Sequence, residues 1–235
     1  MVGGVISGGL LGLALGMRHA FEPDHLAAVS TMVATRPRPG AAAWVGACWG
    51  LGHSIALLVV GGALLLLRLE LPPWLADLFE LGVAFMLVGL GTRAIVRAFR
   101  AGKQGAAART PHAHGPGRPH VHAGPAEHLH LGRWTFARGP LMIGLVHGLA
   151  GSGALTALVV STIPSRSEGL LYMLLFGLGS VAGMAFVTGL SSLPMRRIAG
   201  NERVMARVAG VAGLLSLVVG LVWAAPLLAR FAALT

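Results

Sequence analysis

The sequence predicts an all-α polytopic membrane protein: six transmembrane helices as two inverted three-helix repeats, with helix 1 broken at Pro23. Composition is the first observation behind this. The 235 residues are 55% apolar and 11% charged, with a mean hydropathy of +0.75, whereas soluble domains carry about 45–50% apolar and about 25% charged residues. The second is a set of charge-free runs, each near the ~20 apolar residues needed to cross ~30 Å of hydrocarbon. The third is an echo between the halves. Gly16 to His19 matches Gly144 to His147, Gly50-Leu51-Gly52 matches Gly177-Leu178-Gly179, and Gly82-Val83-Ala84 matches Gly210-Val211-Ala212, at offsets of 127 or 128.

Span one starts at Val2, is interrupted from Arg18 to His25 and resumes to about Ala34. Span two is Pro39 to Leu67. Span three runs from about Trp74 to Thr92, with Asp77 and Glu80 near its start and Arg93 and Arg97 at its close. Spans four, five and six are Gly139 to Ser165, Gly169 to Met195 and Val208 to Ala229. Residues 1–100 thus form the first membrane repeat, 101–138 a flexible loop and 139–235 the second repeat. An odd number of spans per repeat inverts the second copy, an arrangement common in secondary transporters, whose sites lie between repeats. No cleavable signal peptide is expected, because Met1 to Met17 lacks a positive leading region.

The net charge of +10 and isoelectric point near 11.7 read as topology and not as nucleic-acid binding, since the basic residues fall in the gaps between apolar runs. Arg36 and Arg38, the eight Lys/Arg from Arg93 to Arg138, and Arg196, Arg197, Arg203 and Arg207 mark three loops; the opposite face holds only Arg68, Arg166 and Arg230. Cytoplasmic loops are enriched in Lys and Arg. The expected location is therefore the inner (plasma) membrane, multi-pass, with both termini outside and the three basic loops inside. Cys48 is the single cysteine, which excludes an internal disulfide framework and reads as a small buried residue.

His19-Ala20-Phe21-Glu22-Pro23-Asp24-His25 places two imidazoles and two carboxylates inside an otherwise apolar span. Ionisable groups cost several kcal/mol there and mark functional sites. On an ideal helix His19, Asp24 and His25 do not share a face, since steps of five and six residues rotate by about 140° and 240°. The helix must open, and Pro23 supplies the break while suiting the first position of a second half-helix capped by Glu22. Imidazole nitrogen with carboxylate oxygen is the donor set of Ni²⁺, Co²⁺, Zn²⁺ or Cu²⁺ more than of Mg²⁺ or Ca²⁺; the bland alternative is a structural hydrogen-bond knot at a kink. His53, in Gly50-Leu51-Gly52-His53-Ser54, either ligates or orients. His147 stands at the position matching His19, where it lines the path or completes the first site. Ser152 and Gly153 replace Asp24 and His25, so the second half lacks a matching site. Gly148, Gly151, Ser152 and Gly153 fit tight packing or an opened backbone.

These residues carry a resemblance. His19, four residues, Asp24-His25 and then Leu26-Ala27-Ala28-Val29, with the Leu51 to Ser54 element, resemble the signature of the nickel/cobalt transporter family. The likeness is strongest to its shorter, urease-associated nickel permease-like branch, similar in architecture to sulfite-exporter-like membrane proteins. It covers spans one and two by motif and the rest by layout. The chain departs in having six spans where the larger permeases have eight, and Glu22-Pro23 where they commonly have Asp-Ala. By resemblance, His19, Asp24, His25 and His53 recognise the metal; independently of it, Glu22, Ser54, His147 and Ser152 are read from their positions as supporting or pathway residues.

The loop from Gly102 to Arg133 is rich in Gly, Pro and Ala and carries His112, His114, His120, His122, His128 and His130 as three His-x-His pairs. Clustered imidazoles on a segment unable to bury a core capture metal reversibly, or else space the two repeats. No Gly-x-x-x-x-Gly-Lys-Ser/Thr phosphate loop occurs, so transport is secondary or coupled to an outside partner. The reading expected of the sequence is a secondary transporter of Ni²⁺ or Co²⁺, in the uptake direction, and not an enzyme. No prosthetic group is expected; the metal is the transported substrate. The expected partners are the divalent metal ion and the lipid bilayer, with a cytoplasmic metal chaperone or a homo-oligomer as further candidates, and no nucleic acid. The alternatives are a proton-coupled metal exporter, a small-anion (sulfite-type) exporter of the same architecture, and an intramembrane metalloenzyme with Glu22 as base. Protons compete with metal for imidazole, so metal affinity is expected to fall below about pH 6. Equilibrium dialysis with a divalent transition metal above and below that pH checks it.

Overall fold

The computed structural model describes residues 2–34, 38–104, 128–131, 134–163 and 165–233. Its helices are α1 (Val2–His19), α2 (Pro23–Val33), α3 (Pro39–Leu67), α4 (Pro73–Gln104), α5 (Arg138–Thr162), α6 (Arg166–Ile198) and α7 (Glu202–Ala232). Four of them, α3, Pro73–Ala101 of α4, α6 and α7, are long and apolar enough to cross a membrane by length and composition. The architecture is helical, as expected, with one addition. Strands β1 (His128–Leu131) and β2 (Trp134–Ala137) pair antiparallel, His128 opposite Ala137 and Leu131 opposite Trp134. Trp134, Thr135 and Phe136 are good strand formers.

Two boundaries differ from expectation. α4 runs through the basic residues to Gln104, because Arg, Ala, Lys and Gln are strong helix formers that charge alone does not stop. The interruption in the first span narrows to Ala20, Phe21 and Glu22. Phe21 and Glu22 close a tight turn, their N–H groups donating to Arg18 and His19 carbonyls at 2.9 and 3.0 Å. Pro23 then takes the first position of α2, where its missing N–H costs nothing. Glu22 is the N-cap residue through its backbone only; its side chain makes no cap bond and turns to His19 instead.

The packing partners fix the directions of the helices. α3 lies against α6 and α5, α1 against α6, and α4 against α7. Gly46 meets Met184 and Gly62 meets Leu170, so α3 and α6 are antiparallel, whereas Gly144 meets Trp49 and Gly148 meets His53, so α5 runs parallel to α3. The bundle accordingly has a Leu67 face, where α3 ends and α4 begins, and a Pro39 face opposite. Close approach depends on small residues at the crossings. A Cβ at Gly16 would run into the Phe176 carbonyl oxygen, and one at Gly144 into that of Trp49. Buried hydroxyls add cross-helix bonds: Ser54 donates to the Gly177 carbonyl at 2.8 Å and Ser216 to that of Leu87 at 3.0 Å.

The largest core cluster gathers Ala20, Ala27, Ala28, Val29 and Val33 of the first span with Ala42 and Trp49, Val83 and Leu87, and Met184 and Val187. α5 is continuous through residues 148–153, so the backbone is not opened there, and Gly148 is a crossing residue against the His53 carbonyl. The contrast between crossing and free glycines is testable. Gly144→Ala should destabilise the folded protein by about 1–3 kcal/mol through overpacking. Gly82→Ala, where a Cβ meets nothing within 4 Å, should stabilise by about 0.5–1 kcal/mol; thermal unfolding in detergent distinguishes them.

Candidate metal centre

Six ionisable side chains converge at mid-height in this bundle. The α1–α2 break supplies His19, Glu22, Asp24 and His25; the middle of α3 supplies His53; α5 supplies His147. Asp24, His25, His53 and His147 are buried, at 6%, 1%, 0% and 2% exposure. Opening the helix is what lets His19 and His25 face one another, with ring centroids 4.4 Å apart, while His53 lies 5.0 Å from His19 and 5.5 Å from His25.

The hydrogen bonds sort the nitrogens into used and unused. Glu22 Oε1 lies 2.9 Å from His19 Nδ1. Asp24 bridges two rings, Oδ1 to His25 Nδ1 at 2.9 Å and Oδ2 to His147 Nε2 at 2.6 Å. That leaves His19 Nε2, His25 Nε2, His147 Nδ1 and both nitrogens of His53 buried without a partner. His19, His25 and His53 each offer a donor atom within 4.8 Å of the other two, as do Asp24, His25 and His147. A carboxylate holding an imidazole by one nitrogen fixes its orientation and raises its basicity, the usual arrangement behind a metal-bound histidine. Three imidazoles so arranged could hold a divalent transition metal, with Glu22 and Asp24 behind two of them.

The sequence reading grouped His19, Asp24, His25 and His53, and the fold brings all four together. His147, assigned a path or supporting role, contacts Asp24 directly. The matching positions of His19 and His147 in the two halves were its signal. Ser54 is spent on the α3–α6 contact and does not join the imidazoles. The side chain of Ser152 lies outside the described residues, as do His112, His114, His120 and His122; His128 and His130 fall on β1, their side chains likewise undescribed.

Two cavities reach this cluster. One, of about 550 Å³, is lined by Leu15, Arg18, His19, Phe21, Glu22, Leu57, Gly151, Tyr172 and Phe176. The other, of about 350 Å³, is lined by His19, Glu22, Asp24, His25, His53, Glu80, His147, Trp223 and Arg230. At its rim Arg230 pairs with Asp77 at 2.9 Å, tying α7 to α4.

The chain is 34% identical over 215 residues to the urease accessory protein UreH of Bacillus sp. (strain TB-90), covering 90% of this chain and 87% of that protein. The chain belongs to the UreH family. It is also 28% identical to the chloroplast proteins FOR GROWTH AND FERTILITY 2 and 1 of Arabidopsis thaliana, over 78% and 75% of its length. It spans only about half of those two plant proteins, 46% and 47%. No family model matches the chain, and no solved structure does.

The roles of the carboxylates yield a prediction. Asp24→Asn should weaken binding of a divalent transition metal about 10–100-fold, the usual cost of losing an orienting partner. His53→Ala should weaken it further, because both His53 nitrogens are free to ligate. Titration of the purified variants measures the order.

Proposed function

We propose that this protein is a secondary transporter that moves a divalent transition-metal ion, Ni²⁺ or Co²⁺, across the cell membrane in the uptake direction. The observation that carries the reading is the triad His19, His25 and His53, whose unpaired nitrogens are buried together beside two cavities of about 550 and 350 Å³. Nitrogen donors favour late first-row metals over Mg²⁺ or Ca²⁺. Similarity to a urease accessory protein agrees with the resemblance to the urease-associated nickel permease-like branch and supports nickel over cobalt as the cargo.

In the proposed cycle the ion sheds part of its water onto His19, His25 and His53. Asp24 holds His25 and His147, Glu22 holds His19, and the two halves then rock to expose the opposite face. Corresponding contacts in the two halves support that motion. Exchanging the halves at the 127 or 128 offset turns the Gly16–Phe176 contact into Gly144–Trp49, and Gly52–Leu141 into Gly179–Leu13. Under the same exchange α3·α6 and α4·α7 map onto themselves. α1 with α2 and α5 would bring the four long apolar helices to six spans. The charge bias favours both termini outside and the His-rich loop inside, where it would pass metal to a cytoplasmic carrier.

A divalent ion moving inward through about 100 mV gains roughly 4.6 kcal/mol, enough for about a thousandfold accumulation. The test is radioactive Ni²⁺ flux into proteoliposomes with and without an imposed potential. Flux should follow the potential and vanish in His25→Ala and His53→Ala. Flux of equal size in those variants would contradict the proposal.

A further inference from the structure

Among the described residues, cavities reach the cluster from one side and packed side chains fill the other. Leu15 on α1, Leu57 on α3, Gly151 on α5, Tyr172 on α6 and Glu80 on α4 line the cavities, and each lies toward the Leu67 face from the imidazoles of its neighbourhood. Toward the Pro39 face the space is filled by buried Ala28, Val29, Ala42, Leu87 and Met184, with Trp49 in their midst. Trp49 is wholly buried and one turn from His53. Its indole packs on the rings of His25 and His147, with centroids 5.3 and 5.7 Å away. The counterpart of Trp49 at an offset of 127 is Phe176, and the counterpart of His147 is His19. Phe176 packs on His19 at 5.4 Å. Each aromatic ring therefore sits on the equivalent histidine, and each backbone carbonyl receives the equivalent glycine, Gly144 or Gly16. The difference between the two is exposure to space: Phe176 borders an open cavity and Trp49 borders packed side chains.

We infer that Trp49 and Phe176 are a pair of gates on opposite faces of the imidazole site, and that this structure is the state open to the Leu67 face, with Trp49 shut. The inference rests on the transport reading and deepens it. In the opposite state the roles exchange: Phe176 closes over His19 as Trp49 swings from His147, so that the ion is never open to both faces.

The test uses thiol labelling in vesicles of both orientations. Cys48→Ala removes the single cysteine, and Leu15→Cys or Ala42→Cys then reports the Leu67 or Pro39 side. Without metal, a membrane-impermeant thiol reagent should modify Leu15→Cys and spare Ala42→Cys. Adding Trp49→Ala should speed modification of Ala42→Cys at least about tenfold, while Trp49→Phe keeps the seal. Saturating Ni²⁺ should slow modification of Leu15→Cys about tenfold with Phe176 present and not with Phe176→Ala. Where Trp49→Ala does not fold, Trp49→Leu takes its place, and unchanged Leu15→Cys labelling certifies either fold. Ala42→Cys that is modified equally with and without Trp49, or Leu15→Cys that Ni²⁺ leaves unprotected, overturns the gates. Equilibrium dialysis separates the two claims: a protein that binds no Ni²⁺ sinks the transport reading, while the metal-free labelling still decides Trp49.

Discussion

A buried polar atom left without a partner costs about 1–3 kcal/mol, and His53 carries two such atoms with no exposure at all. His19 and His25 add one each, and each of the three rings offers a donor atom within 4.8 Å of the other two. An apolar helix bundle does not tolerate this for packing alone, since an alanine or leucine at position 53 would remove the penalty. The rest of the structure follows from keeping these nitrogens both sheltered and unpaired. The helix opens at residues 20–22 so that His19 and His25 converge. Glu22 and Asp24 occupy the other nitrogen of each ring. Gly144 and Gly148 bring α5 close enough for His147 to reach Asp24.

Much of this was legible from the chain. Charge-free runs located the long helices because a membrane core excludes charge, and Pro23 marked the break because it cannot continue a helix. His19, Asp24, His25 and His53 stood out as ionisable residues in apolar surroundings. What the chain concealed was pairing across sequence distance. Asp24 reads as a ligand beside His25, yet its second oxygen belongs to His147, 123 residues away. Ser54, next to His53, turns to α6. The continuation of α4 to Gln104 was hidden because basic residues signal a loop while also being good helix formers.

Trp49 and Phe176 were the least visible. Aromatic residues in an apolar run look like packing, and only the contacts to His147 and His19 set them apart. The correspondence between those contacts also gives the echo between the two halves a physical purpose. On the transport reading, these two related crossings, each with a glycine under a carbonyl and an aromatic over a histidine, are the element that a single site would bias. The asymmetry is equally informative, since Asp24 and His25 have no counterparts in the second half. One donor cluster between two such crossings is the arrangement that the proposed alternating access requires.

The central claim is that imidazole nitrogens of His19, His25 and His53 take the metal directly, with the carboxylates behind them. X-ray absorption spectroscopy of the nickel-loaded protein tests it most directly. The account predicts a nitrogen shell with the multiple-scattering pattern of several imidazoles, reduced by one ring in His53→Ala. An oxygen-only shell, or a spectrum unchanged by His53→Ala, would contradict it.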